Sequence, residues 1–112
     1  MWTRAPVPFS AAERLIDAIR SIPGLVVRGE PAATLVAFGS EDEALDVFAI
    51  GDGLLRRGWY LDRQGPPASL HATVNAVHAT VMDQFVADLR DASVEAREQQ
   101  VTGDARAYGS AE

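Results

Sequence analysis

Three amphipathic stretches of helical period, set apart by pairs of short apolar runs, constrain this chain more than any other feature of its sequence. A helix with one apolar stripe cannot bury that stripe alone, and neither can a strand of a few residues. Each needs a partner layer, and a sheet covered by helices is the economical way to provide one.

Ser10 to Ile22 reads as the first helix. Ser10 can cap it, and Glu13 stands where a capping box places a carboxylate. Leu15, Ile16, Ile19 and Ile22 form its stripe, and Pro23-Gly24 ends it. Leu25-Val26-Val27 and Thr34-Leu35-Val36-Ala37-Phe38 flank the turn cluster Gly29-Glu30-Pro31-Ala32, which predicts an antiparallel hairpin. The second run is apolar on both faces, as an interior strand would be.

Ser40 and Glu43 repeat the capping spacing and open a second helix to about Arg57. Its buried face reads as Ala44, Val47, Phe48, Gly51 and Leu54 or Leu55. Arg56 and Arg57 suit the negative end of the helix dipole, and Gly58 suits a C-terminal cap. Trp59-Tyr60-Leu61 reads as the third strand. Ser69 to Val74 reads as the fourth, with Leu70, Ala72 and Val74 on one face and His71 and Thr73 on the other. Thr80 and Asp83 cap a third helix that runs to about Gln99 on the stripe Val81, Phe85, Leu89 and Ala92, flanked by Met82 and Val86. The expectation is an α+β domain over residues 1–98, in the order α-β-β-α-β-β-α. Its sheet is mixed or antiparallel, of about four strands, with helices packed on one face. Residues 99–112 are polar and expected to form a flexible tail.

A chain of 112 residues is one domain, and its apolar share of 47% belongs to an ordinary globule. No apolar run is long enough to cross a bilayer. Met1 to Pro8 lacks the basic region and apolar core of a signal peptide, so a cytoplasmic address is expected. With no cysteine there is no disulfide or thiolate metal site. The net charge of −6 argues against nucleic-acid or anionic-membrane partners, which favour a basic face. All ten basic residues are arginine. Without a lysine the chain cannot form a Schiff base or use a lysine general base.

Single motifs point to scaffold. His71 and His78 are seven residues apart with no third ligand evident, which does not suit a metal site. Gly51-Asp52-Gly53 starts like a dinucleotide fingerprint, but it lies inside an amphipathic helix, where Gly51 reads as a close-packing position. Glu41, Asp42, Glu43 and Asp46 read as an acidic helix start. None of the six serines sits in a nucleophile elbow. No catalytic, cofactor-binding or metal residue is assigned on these grounds.

Taken in order, however, the segments resemble a known family. A strand ending in Gly39-Ser40 and a helix closing with Arg57-Gly58-Trp59 are followed by Leu61, Pro66-Pro67, Ser69-Leu70-His71 and His78-Ala79. "FVADLRDA" in the last helix, Thr102-Gly103 and Ala107-Tyr108-Gly109 continue the pattern. This order resembles the C-terminal small domain of sphingosine-1-phosphate lyase-like proteins, within the fold type I, pyridoxal-phosphate-dependent decarboxylases and lyases. The resemblance runs from the first helix to about Gly109. It implies that a large domain, in the same or another chain, carries the cofactor and its lysine. It also implies that the small domain packs on that large domain and helps close the active site of a homodimer. The chain is then a fragment or domain of a carbon–carbon lyase, inactive alone, whose parent would take a phosphorylated long-chain amino alcohol. His71 and Tyr108 are the candidate rim residues that the resemblance implies. The alternative is a free-standing α+β module that binds a small ligand or a protein partner.

Overall fold

The computed structural model describes residues 11–30, 35–74 and 81–110, with side chains described through residue 100. The elements are α1 (Ala11–Ser21), β1 (Leu25–Arg28), β2 (Leu35–Ser40), α2 (Val47–Arg56), β3 (Asp62–Gln64), β4 (Ser69–Thr73) and α3 (Met82–Ser110). Their order is the one expected. The four strands form one sheet in the order β1-β2-β4-β3, and every pairing is antiparallel. β2 is interior to the sheet, as expected.

Strand register decides which side chains meet the helices. Val36 stands opposite Ala72 and Phe38 opposite Leu70, all buried toward the helical layer. Leu15 and Ile19 of α1, Ile50 and Leu54 of α2, and Leu89 and Ala92 of α3 join them in one core. Burial of such side chains contributes about 1.5–3 kcal/mol each, offset largely by chain entropy.

Two glycines set how closely the layers approach. A Cβ on Gly51 would lie 3.0 Å from the Leu70 side chain, and one on Gly53 would lie 3.1 Å from the Ala92 Cβ. Gly51 therefore brings α2 down onto the sheet, as its place in an amphipathic helix suggested, and Gly53 brings α2 against α3. α2 ends in a Schellman arrangement: Trp59 N donates to Leu54 O, Gly58 N donates to Leu55 O, and Gly58 has φ 93°.

Several expected boundaries move. α2 begins at Val47, not Ser40, and its cap is Asp46, whose carboxylate accepts from Phe48 N. Ser40 instead ends β2, and its hydroxyl accepts from Asp42 N; the Asp42 carboxylate in turn accepts from Ala44 N. Short polar side chains bind backbone two residues on as readily as they cap a helix, so the Ser40–Glu43 spacing marks turns here. Glu41 to Asp46 thus form a turn segment ahead of the helix, Ala44 is outside it and exposed, and Leu54 is the buried leucine while Leu55 is exposed.

The third strand lies at Asp62–Gln64, not at Trp59-Tyr60-Leu61. The Trp59 N–H is already bonded to α2. Its indole meets Phe85 edge-on at 5.0 Å and donates to Asp88 at 2.7 Å, and Leu61 is buried. The apolar signal there reflects packing on the helices and not ladder pairing. In α3 the buried stripe is Met82, Phe85, Leu89, Ala92 and Ala96, while Val81 precedes the helix and is exposed. α3 also continues past Gln99 to Ser110, so the backbone of most of the expected tail is helical. The caps assigned to Ser10 and Thr80, and His78, lie outside the described residues.

Candidate functional site

The helices leave one face of the sheet open, and that face is where the chain's polar groups converge. Alternation along the strands places Arg28 of β1, Ala37 and Gly39 of β2, Ser69 and His71 of β4, and Gln64 of β3 on it. Arg28 and His71 both stand opposite Ala37, on either side of β2, and Gln64 stands opposite Ser69. Between them lies an open groove of about 300 Å³ lined by Arg28, Ala37, Gln64, Pro66, Ser69 and His71.

Each polar group has a specific placement. His71 is half-buried, and its Nε2 lies 3.0 Å from Ser69 Oγ. Ser69 is 7% exposed, and its hydroxyl also lies within 3.4 Å of Gln64 O. The Arg28 guanidinium lies across β2: a Cβ on Gly39 would sit 2.7 Å from Arg28 Nε and 2.9 Å from Ala68 O. Gly39 is therefore the position that lets the arginine lie flat. Arg28 Nη2 donates to Ser40 O at a long 3.4 Å, and among the described residues its buried Nε has no acceptor.

Of the two expected rim residues, His71 is in this groove. Tyr108 lies on α3, an element of the helical layer, and its side chain is outside the described part. Arg28 was not singled out from the sequence, and Gly39 and Ser69 entered only as markers of the resemblance, not as site residues. A lone arginine ending an apolar run before a glycine is the only local sign of Arg28. Its nearness to His71 depends on pairing across β2.

The other charged groups brace the scaffold. Glu95 accepts from Arg57 at 2.5 Å and from Arg56 at 2.7 Å, and these contacts, Arg57's first, hold its carboxyl down to about 2. The same contact raises the Arg57 guanidinium further. Arg97 on α3 reaches Asp42 at 2.8 Å and Pro23 O at 2.6 Å, tying the helix to two loops. The Asp42 carboxyl is lowered, first by the Ala44 N–H and then by Arg97. Among the described residues no cluster of three metal-ligating side chains occurs, and no helix is long and apolar enough to cross a membrane.

No family model matches the chain. It is 40% identical over 104 residues to a sphingosine-1-phosphate lyase of Arabidopsis thaliana, a match that takes in 90% of this chain and 19% of that protein. The rice enzyme of the same name is 36% identical over 103 residues, again 19% of its length. Among solved structures, a sphingosine-1-phosphate lyase of Burkholderia pseudomallei superposes with a TM-score of 0.71 and 31% identity, over 89% of this chain and 22% of that one. The cystine C-S lyase C-DES shares the fold at a TM-score of 0.58 and 20% identity, over 72% of this chain and 22% of that one. The chain thus spans about a fifth of the length of the relatives it matches. By sequence and by fold, then, the chain is similar to the C-terminal part of proteins named sphingosine-1-phosphate lyase.

Proposed function

We propose that this chain serves as the C-terminal domain of a pyridoxal-phosphate-dependent carbon–carbon lyase or decarboxylase of the sphingosine-1-phosphate lyase type. The match to the Arabidopsis lyase over 90% of this chain, but 19% of that enzyme, carries the reading. The fold also occurs in C-DES, one structure of which holds glycine linked to its pyridoxal phosphate cofactor.

The residues of this chain do not by themselves make a site for that cofactor. Anchoring it covalently takes a lysine, and the sequence contains none. The lysine, and the electron-sink chemistry that depends on it, belong to a large domain in the same or another chain. This domain contributes a surface. Its helical face is closed over the core, whereas the open sheet face presents Leu35, Ala37 and the Arg28–His71 groove, and it is the face that packs on the large domain. His71 then lies at the rim of the active site, with Tyr108 as the second rim residue. The same reading takes the parent protein to be a cytoplasmic homodimer acting on a phosphorylated long-chain amino alcohol. Alone, the chain is inactive.

An immunoblot of the source cells with an antibody to this domain tests the reading. A band several times heavier than 12.0 kDa supports it. A band near 12.0 kDa, with no lysine-containing chain co-purifying, overturns it in favour of a free-standing binding module.

A further inference from the structure

Among the described residues, the guanidinium on the open sheet face has no counter-charge. Among the described residues Arg28 pairs with no carboxylate, its one hydrogen bond is the long contact to Ser40 O, and its Nε is buried without an acceptor. Elsewhere on the molecule Arg14, Arg56, Arg57, Arg63 and Arg97 all pair with carboxylates. In an acidic protein with plentiful carboxylates, a half-buried arginine left in this state is the exception. Its surroundings are those of a receptor for negative charge. The groove beside it is lined by Gly29, Ala37, Gln64, Gly65, Pro66, Pro67, Ser69 and His71, and no carboxylate is among them. Asp62, which stands opposite His71 at the sheet edge, accepts from the Gln64 amide at 3.1 Å.

We infer that the groove between Arg28 and His71 binds a small oxyanion, a carboxylate or a phosphate group. The Arg28 guanidinium supplies the charge, and planar guanidinium donors match two oxygens of such a group. Gly39 permits this placement because any side chain there would displace the arginine stem. The Ser69 hydroxyl fixes the imidazole of His71 on the opposite wall. The groove lies on the face that the lyase reading docks on the large domain, but the inference is tested on this chain alone, so its failure would leave that reading in place.

The test is an NMR titration of the 112-residue chain with inorganic phosphate and, separately, with acetate, against sodium chloride at matched ionic strength. The signals followed are the Arg28 Nε–Hε group and the backbone amides of Ala37, Ser69 and His71. The expected result is saturable movement of these signals with phosphate, with acetate or with both, but not with chloride. Response to phosphate alone assigns the site to phosphate groups; response to acetate assigns it to carboxylates. Arg28→Gln should weaken the binding about tenfold or more, the loss of one charge-assisted contact. Should Arg28→Gln disturb the fold, Gly39→Ala, which crowds the guanidinium, and His71→Gln provide the second comparison. Movement that is linear, or equal with chloride, or unchanged in the variants, overturns the inference.

Discussion

The two faces of the sheet are built from the same four strands and obey different rules. On the covered face Val36, Phe38 and Leu70 are 0% exposed and each meets a helix. On the open face Leu35 of the same β2 strand is 43% exposed and stands opposite Thr73, and Arg28, Ser69 and His71 share that face. The covered face is closed by packing and tolerates little change in volume. The open face keeps a charge, a groove and uncovered apolar surface, which suits a surface used by something else. On the reading proposed above, stability resides in one face and recognition in the other.

The largest effect that would sharpen this contrast is Phe38→Ala against Leu35→Ala. The first should cost about 3–5 kcal/mol and the second about 0.5 kcal/mol, read from urea unfolding. Equal losses would mean that both faces are packed. Within the helical layer, Gly53→Val should cost about 1–3 kcal/mol, since its new atoms would crowd Ala92. A stable Gly53→Val variant would show that α2 and α3 can separate freely.

Smaller still is an acid-sensitive contribution from the helix pair. The Glu95 carboxyl is held down to about 2 from an ordinary 4.5 by Arg57 and Arg56. A lowered carboxyl contributes stability that is complete above 4.5 and lost as pH falls through about 2. Asp42, also lowered, acts in the same direction. Glu95→Gln should therefore flatten the fall in melting temperature across that window, and added salt should shrink the difference because these groups are partly exposed. If the variant melts with the same acid dependence as the parent chain, the bridge contributes nothing. The smallest effect is expected at the open face itself. His71→Ala should change stability by no more than about 0.5 kcal/mol, because the half-buried ring lines an open groove and is not part of the core. A loss of several kcal/mol would make His71 a core residue and break the comparison.

Much of the covered face is legible in the amino-acid sequence. The stripes of Leu15 and Ile19, and of Phe85 and Leu89, follow from a period of 3.6 residues. The alternation of Leu70, Ala72 and Val74 with His71 and Thr73 follows from a period of two. Gly58 follows from the helix it ends. The errors cluster where one local signal has two physical outlets. Ser40 and Asp42 could cap a helix or close turns, and Trp59 and Leu61 could pair as a strand or pack as a linker. For Ser40 and Asp42 the turns win through bonds to backbone two residues on, with Arg97 holding Asp42 from far along the chain; for Trp59 the winner is packing on Phe85 and Asp88.

The open face was the less legible half. His71 is marked by its place in a strand pattern and by the family resemblance, but nothing near it in sequence announces Arg28. What the sequence by itself determined is the order of elements, which side of each is apolar, the interior place of β2 and the want of a lysine. These depend on residue type and on spacing over a few residues. Only the tertiary structure decided that Arg28 and His71 face one groove and that Gly39 makes room between them. Those relations arise from strand pairing across β2, and pairing joins residues whose separation along the chain carries no local signal.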